Sequence, residues 1–295
     1  MREIGVIGLG LLGSALADRL LQSGYTVLGY DLAAGARAAL QAAGGQAADS
    51  ALDAARQRPV LLLSLPNADV VAAVMAEIEP VLRSGHLIID TTTGDPARSA
   101  ALGESLARRG IGFLDATIAG SSAQARDGQV IVLAGGQPEP FALAREILAS
   151  FSTAAFHVGP WGSGVRMKLV VNLVLGLNRA VLAEGLTLAK ALELDPPGTL
   201  AILKASPAYS TVMDTKGDKM LARDYQPQAR LSQHLKDVRL ILDAARRTNT
   251  PLPLSTVHEE LLERAERAGW GQLDNSAVLE AFRLEETTIK PAAGD

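Results

Sequence analysis

Hydrophobic and polar positions follow two different patterns along the chain. As far as about residue 157, short apolar runs alternate with longer segments in which apolar residues recur every three or four positions. The short runs predict strands, and the longer segments predict amphipathic helices. The predicted strands are IGVIG (4–8), TVLGY (26–30), VLLLSL (60–65), LIID (87–90), GFLD (112–115) and VIVLAG (130–135). Strands separated by helices of this length predict an α/β fold with a doubly wound, mostly parallel sheet.

After His157 the helical period takes over almost completely. The segment from about residue 163 to 194 contains no proline, and as one helix it would be about 45 Å long. Further helices are predicted at about 196–205, 228–249, 251–268 and 274–285, separated by prolines. We therefore expect two domains, residues 1–160 and residues 161–295, the second being all-helical and beginning with the long helix.

A glycine-rich turn joins the first predicted strand to the first predicted helix. GLGLLG fits the pattern G-x-G-x-x-G, which is weak alone but stronger between a strand and a helix. It predicts a Rossmann-type dinucleotide site formed by Gly8, Leu9, Gly10, Leu11, Leu12 and Gly13. Asp31 ends the second predicted strand, where a carboxylate binds ribose hydroxyls and repels a 2′-phosphate, which favours NAD over NADP. Arg37 lies close by and leaves NADP open, and glycine turns that bind nothing are the alternative to the whole site.

Lys168 lies in the mostly apolar segment VRMKLVVNLVLGL. An ammonium is costly to bury, so this lysine either extends to water or has a chemical role. Asn172 follows four residues later and shares its helix face. Beside a nicotinamide, such a lysine would donate a proton to a carbonyl oxygen as hydride arrives. Spacing alone leaves both interpretations open.

Composition narrows the classes of protein. The chain has 295 residues, 48% of them apolar, a formal net charge of −4 and no cysteine. Disulfides and thiolate chemistry are therefore excluded, and we expect no nucleic-acid partner. The four histidines lack metal-ligand spacing, so we expect no metal site. The first residues pass directly into a strand and polar residues interrupt the most apolar helix, so we expect a cytoplasmic protein without a membrane segment.

Five motifs in order resemble one known family over essentially the whole chain. They are GLGLLGSALADRL, DTTTGDP, DATIAGSSAQARDGQVIVLAGG, GSGVRMKLVVN and HLKDVRLILDAA. The chain resembles the β-hydroxyacid dehydrogenases, which include 3-hydroxyisobutyrate dehydrogenases and semialdehyde reductases. The resemblance implies an NAD(P)-dependent oxidoreductase that interconverts a small carboxylate-bearing aldehyde and its hydroxyacid between two domains. It also implies a homodimer or homotetramer.

The same resemblance assigns roles to residues. Lys168 would be the catalytic acid/base, and Asn172 would bind substrate. The residues implied to contact the cofactor, beyond the glycine-rich turn, are Leu65, Pro66, Thr92, Thr93 and Lys236, the last with Asp237 as its neighbour.

The substrate loop departs from the family pattern. Many members read D-A-P-V-S-G-G where this chain reads DATIAGS, so Thr117 replaces a proline and Ala119 replaces a serine that donates to the substrate carboxylate. Gly120, Ser121 and Ser122 are left as the predicted substrate-binding residues.

The loop and the last motifs are most similar to the glyoxylate/succinic semialdehyde reductase branch, although Asp31 disagrees with that branch's usual NADP. A sulfolactaldehyde-type reductase ranks lower, because Gly120 stands where those enzymes have an arginine. A non-catalytic dinucleotide sensor or scaffold is the alternative from another class.

Overall fold

The computed structural model describes residues 2–283. Its contacts divide the chain into two compact units, Met1–Lys168 and Leu169–Asp295. We call them the α/β unit and the helical unit. The division falls inside one continuous helix, Ser163–Ala191. The predicted domain boundary after residue 160 stays a prediction, and the end of the predicted helix 274–285 lies outside the described residues.

The α/β unit is an eight-stranded sheet with helices between its strands. Its strands are β1 (Glu3–Ile7), β2 (Thr26–Tyr30), β3 (Gln46–Ala47), β4 (Val60–Leu63), β5 (Leu87–Asp90), β6 (Gly112–Ala119), β7 (Val130–Gly136) and β8 (Ser152–Gly159). Its helices are α1 (Leu11–Gln22), α2 (Ala34–Ala42), α3 (Ala51–Gln57), α4 (Ala68–Ile78), α5 (Pro96–Ala107), α6 (Ser122–Arg126) and α7 (Pro138–Ala149). A 3₁₀ turn, Glu79–Val81, follows α4.

The strand order is β3-β2-β1-β4-β5-β6-β7-β8. All neighbouring pairs are parallel except β6 with β7, which are antiparallel. The predicted doubly wound, mostly parallel sheet is therefore confirmed. From β1 the chain first adds strands toward one edge of the sheet, and from β4 onward it adds them toward the other edge. The order therefore reverses at β1, which has β2 on one side and β4 on the other. Ligands of open α/β sheets bind at such a point, beyond the carboxyl ends of the strands.

Alternating side chains of the central strands supply two separate cores. On β4, Leu62 packs into one apolar cluster, whereas Leu61 and Leu63 pack into the other. All three are fully buried. Parallel strands covered by helices on both faces are apolar at every position, which is why these runs contain no polar alternation.

The helical unit follows α8 (Ser163–Ala191), which begins in the α/β unit. Its other helices are α9 (Pro196–Ala205), α10 (Thr211–Ala222), α11 (Leu231–Arg247), α12 (Pro253–Ala265) and α13 (Leu279–Arg283). A π turn, Glu266–Trp270, and a 3₁₀ turn, Asn275–Val278, precede α13. The sequence did not predict α10. Its buried face includes Lys216 and Gly217 beside Val212 and Met220, so it lacks an apolar stripe.

The length and apolar composition of α8 would also suit a membrane-spanning helix, with a mean hydropathy of 1.5 over 18 residues. However, Leu182, Ala183 and Leu186 belong to the core of the helical unit. The helix also carries the buried polar residues Asn172 and Arg179. We therefore interpret α8 as a core helix.

Candidate functional site

The glycine-rich turn lies at the carboxyl end of β1, where the sheet order reverses. Gly8 has a φ of +93°, and a Cβ there would lie 2.3 Å from the Ser64 carbonyl oxygen. A Cβ on Gly13 would lie 1.9 Å from the Gly8 carbonyl oxygen. A Cβ on Gly10 would meet no atom within 4 Å. Gly8 and Gly13 are therefore required by the fold itself, whereas the space beside Gly10 is open.

The first turn of α1 is suited to an anion. Gly10 is the residue before the helix, so no side chain caps the helix, and no acidic residue lies in its first turn. The backbone N–H groups of the Leu11–Gly13 turn therefore face outward with the positive end of the helix dipole, which is the arrangement that binds a pyrophosphate.

Asp31 lies directly after β2, next to this turn. Its two carboxylate oxygens accept hydrogen bonds from the backbone N–H of Leu9 at 2.7 Å and of Ala33 at 2.8 Å. The Arg37 guanidinium donates to the Asp31 carbonyl oxygen and lies 5.8 Å from the centre of the Tyr30 ring. Because a carboxylate has about four acceptor positions, Asp31 retains capacity for ribose hydroxyls.

The turns after β4 and β5 are linked to one another. The Leu65 N–H donates to the Thr92 hydroxyl at 3.2 Å, and the Thr92 N–H donates to the Asp90 carboxylate at 2.9 Å. Burial raises the pKa of Asp90 to about 7, although the hydrogen bonds from Thr92 oppose the rise. A small cavity of about 90 Å³ between α4 and α5 opens beside Asp90 and Thr92. Asp90 thus orders the turn that carries Thr92.

These features together fit a dinucleotide. The fold brings the predicted cofactor residues of the α/β unit to one edge of the sheet: the glycine-rich turn after β1, Asp31 after β2, Leu65 and Pro66 after β4, and Thr92 and Thr93 after β5. Open space beside Gly10, uncapped helix amides and a carboxylate at the end of β2 are the parts such a site requires.

The start of α8 is fixed by a buried carboxylate. The two oxygens of Asp115, on β6, accept hydrogen bonds from the backbone N–H of Gly162 and of Val165, each at 2.9 Å. Burial raises the pKa of Asp115, and these backbone donors partly offset the rise. Asp115 therefore caps the helix that carries Lys168.

Thr117 and two glycines complete this anchor. The Thr117 hydroxyl donates to the Gly164 carbonyl oxygen at 3.0 Å, a bond that a proline in its place would not make. A Cβ on Gly164 would lie 2.2 Å from the Asp115 carbonyl oxygen, and one on Gly162 would lie 2.5 Å from the Pro96 carbonyl oxygen. These two glycines therefore allow segments of this chain's own backbone to approach one another.

Lys168 and Asn172 lie one turn apart on α8, and their side chains are 8% and 5% exposed. The Asn172 amide nitrogen donates to the Asp237 carboxylate at 2.8 Å. The Lys236 ammonium lies 3.0 Å from the other oxygen of that carboxylate. Within the helical unit, Asp237 therefore brings Asn172 and Lys236 to one point. The role of Lys236 toward a cofactor stays a prediction.

The substrate loop places its serine in a helix cap. The Ser121 N–H and hydroxyl both donate to the side-chain oxygen of Gln124, at 2.9 and 3.1 Å, and the hydroxyl accepts from the Gln124 N–H at 3.2 Å. Gly120 has a φ of +150°, and a Cβ there would lie 2.6 Å from Val130. The loop is thus strongly ordered. Whether Gly120, Ser121 and Ser122 bind substrate stays a prediction.

Two features of the site were not assigned from the sequence. Asp115 and Thr117 act as anchors of α8, although their i, i+2 spacing on one face of a strand was a usable pattern. His234 and His258 were considered in the sequence only as possible metal ligands. Both are buried, and their ring centres are 5.2 Å apart. Within residues 2–283, no group of acidic, histidine or cysteine side chains is arranged to hold a metal ion.

Comparisons with known proteins cover nearly the whole chain. Residues 3–159 match the family described as the NAD binding domain of 6-phosphogluconate dehydrogenase. Residues 162–282 match that described as NAD-binding of NADP-dependent 3-hydroxyisobutyrate dehydrogenase.

Among curated proteins, the chain is 32% identical to 2-(hydroxymethyl)glutarate dehydrogenase of Eubacterium barkeri, over 95% of this chain and 94% of that one. It is 31% identical to 3-sulfolactaldehyde reductase of Escherichia coli, over 96% and 97%. Among solved structures, 3-hydroxyisobutyrate dehydrogenase from Salmonella typhimurium superposes with a TM-score of 0.88 at 25% identity, over 95% of this chain and 99% of that one.

A single substitution of Asp115 tests its role as the anchor of α8. Asp115→Asn turns an NH₂ group toward one of the two backbone N–H donors, so one buried hydrogen bond is lost. We expect the free energy of unfolding to fall by about 1–3 kcal/mol and deuterium exchange to accelerate in peptides covering residues 160–168, as followed by mass spectrometry. Asp49→Asn, at an exposed aspartate, is the matched control. Equal exchange in both variants would contradict the anchoring role.

Proposed function

The chain belongs to the β-hydroxyacid dehydrogenase family and is an NAD(P)-dependent oxidoreductase acting on CH–OH groups, and on that premise we propose that Lys168 is the acid/base of its reaction. The nicotinamide, when bound, supplies or accepts the hydride. Lys168 donates a proton from Nζ to the substrate oxygen as a carbonyl is reduced. In the opposite direction its neutral amine takes the proton from the hydroxyl group.

The observation that carries this proposal is the burial of Lys168 on an anchored helix. A lysine that is only 8% exposed is held within the structure and does not extend its ammonium into water. About one helical turn before it, Asp115 and Thr117 fix the start of α8 to β6. A proton donor must be held within hydrogen-bonding reach of the reacting oxygen, and a helix fixed at its start provides such a position.

Asn172 is held for substrate in a specific orientation. Its amide nitrogen is committed to Asp237 at 2.8 Å. The amide oxygen therefore points away from that carboxylate and is the atom that would accept a hydrogen bond from a substrate hydroxyl. Lys168 and Asn172 would then bind the reacting oxygen and a neighbouring hydroxyl from one face of the helix.

The substrate is a small molecule, and we propose a carboxylate-bearing semialdehyde or its hydroxyacid. The names of the relatives support this class, since hydroxymethylglutarate is such an acid. A sulfonate-bearing aldehyde is the second candidate, supported by the 3-sulfolactaldehyde reductase of Escherichia coli. Gly120 provides no cation for a sulfonate, which ranks that candidate lower. A panel of aldehydes that carry either group distinguishes the two.

The proposed role of Lys168 is tested by Lys168→Ala in single-turnover reduction of that panel. We expect the rate to fall by about 10²–10⁴, while the Kd for the cofactor, measured by fluorescence, is unchanged. Lys190→Ala, at an exposed lysine of the same helix, is the control. A Lys168→Ala rate within about tenfold of the wild type would exclude an acid/base role.

We propose that NAD is preferred over NADP, because the Asp31 carboxylate lies where the adenosine ribose hydroxyls bind and would repel a 2′-phosphate. The measurement is the ratio of kcat/KM with NADH to that with NADPH. We expect a ratio above one, reduced at least about tenfold by Asp31→Asn, which corresponds to about 1.4 kcal/mol. Arg37→Met, beside the same turn, should leave NADH preferred. An unchanged ratio in Asp31→Asn would contradict the role of this carboxylate.

We propose further that the chain forms a homodimer or homotetramer through an apolar stripe on α8. Val174, Val181 and Leu188 follow one another at seven-residue intervals and are 52%, 64% and 59% exposed. A seven-residue repeat keeps one apolar seam directed at a partner helix. The same stripe on a second copy is complementary to it across a two-fold axis.

Light scattering tests this assembly. The wild type should have the mass of two or four chains, and Val181→Glu should lower that mass, because it places a charge in the seam. Val257→Glu, at an exposed valine of α12 outside the stripe, should leave the mass unchanged. A monomeric wild type, or an equal effect of both variants, would contradict the proposal.

A further inference from the structure

Arg179 is a buried cation in the helical unit that the proposed reaction does not use. It is only 3% exposed, and its Nε and Nη1 atoms meet no hydrogen-bond partner within residues 2–283. Burial lowers its pKa to about 10. The guanidinium therefore remains charged at neutral pH, with donors that nothing in the described part of the chain accepts.

The carboxylate that acts electrostatically on Arg179 is Asp274, and its bonding capacity is already used. Its oxygens lie 2.8 and 2.9 Å from the Lys216 ammonium. They also accept from the backbone N–H of Gln228 and Ala229 and from Ser276. Lys216 and Asp274 therefore balance one another, and the charge of Arg179 is left without a counterion in the described part of the helical unit.

Two imidazoles face the same position on α8. His258, which is 2% exposed, has an Nε2 atom with no hydrogen-bond partner in the described residues. Burial, and then the charge of Arg179, lower its pKa to about 4. His258 is therefore neutral at working pH, and it adds a polar nitrogen to the cluster without adding a charge.

Gly176, one helical turn before Arg179, makes room for both rings. A Cβ at this position would lie 2.5 Å from Nε2 of His234 and 2.7 Å from Cε1 of His258. The two rings therefore lie directly against the backbone of α8. We call Arg179, His234 and His258 the Arg179 cluster. It combines side chains from α8, α11 and α12.

We propose that the Arg179 cluster binds one small anion, a halide or a carboxylate group, inside the helical unit. A buried charge without a counterion strongly opposes folding, whereas a bound anion supplies both the opposite charge and the acceptor that the guanidinium lacks. Because Arg179 is only 3% exposed, the ligand is expected to be no larger than a single ion or a terminal carboxylate. A buried water molecule would satisfy the N–H groups and leave the charge unbalanced.

Thermal unfolding of the full chain tests the binding of a free anion. The midpoint temperature is followed against sodium bromide and sodium formate for the wild type, Arg179→Met and Arg246→Met. Arg246 is an exposed arginine of α11 and controls for general salt effects. We expect a saturable rise in the wild type and the control, as ligand binding to the folded state requires, and no saturable rise in Arg179→Met.

Crystals grown in bromide locate the ion. Anomalous scattering should show one bromide beside Nε and Nη1 of the wild-type Arg179. This result stands even if Arg179→Met fails to fold. A water molecule at that position, together with wild-type stability that does not depend saturably on either anion, would overturn binding of a free anion.

A kinetic comparison distinguishes a free anion from the carboxylate of the substrate, and this arm rests on the proposed function. If the substrate supplies the anion, bromide should compete with it. Arg179→Met should then raise KM at least about tenfold for a carboxylate-bearing aldehyde, as loss of a charge-assisted hydrogen bond predicts, with little effect on a neutral aldehyde of equal length. If the anion is free, KM should not change. Absence of both effects together with absence of bromide binding would overturn the proposal, while intact turnover would leave the proposed function standing.

Discussion

The two hydrogen bonds that the Asp115 carboxylate accepts determine where α8 begins, and the position of Lys168, the proposed acid/base in the first turns of that helix, depends on them. β6 is hydrogen-bonded on both sides, to β5 and to β7, so the carboxylate projects from a rigid strand. Burial of this group is unfavourable by itself, and the free N–H groups of a helix start are the donors that compensate for it. Gly135 and Gly164 let strand and helix approach closely enough for these bonds, because a Cβ on either would overlap the neighbouring backbone.

Local patterns were sufficient for most of the fold. Fully buried parallel strands appear in the sequence as short apolar runs, and the glycine-rich turn could be assigned because its glycines have a fixed spacing between one strand and the helix that follows it. The bounds of α9 were predicted correctly from the two prolines at its start. By contrast, the sequence did not predict α10, because its buried face includes Lys216. The burial of this lysine is explained by its ion pair with Asp274, which lies 58 residues later in the chain.

The same distinction applies to the candidate site. Lys168 and Asn172 could be selected from four-residue spacing, because they share one helix. The partner of Asn172 lies on another helix, 65 residues away, and the cap of α8 comes from a strand about 50 residues before it. Such contacts depend on tertiary arrangement, which spacing does not encode. The atoms that require Gly162 and Gly164 likewise belong to distant segments of the chain.

The helical unit contains buried ionic groups of two kinds. Lys216 with Asp274, and Glu280 with Arg223 and Tyr225, form sets in which each charge has partners of opposite charge or matching hydrogen bonds. Such sets fix the packing of α10 against the last turns of the described chain, because one partner cannot be removed without leaving the other buried and unbalanced. Arg179 differs from both sets, because its Nε and Nη1 atoms have no hydrogen-bond partner in the described part of the chain.

The cap formed by Ser121 and Gln124 has a consequence for how enzymes of this kind diverge. Gln124 occupies the N–H and the hydroxyl of Ser121 at once. A single substitution of Gln124 would release both groups and change the polarity that the loop presents, while the residues of the loop itself stayed the same. Under the predicted role of this loop in substrate binding, substrate preference would therefore be open to change from a neighbouring helical position, outside the motif by which the loop is recognised.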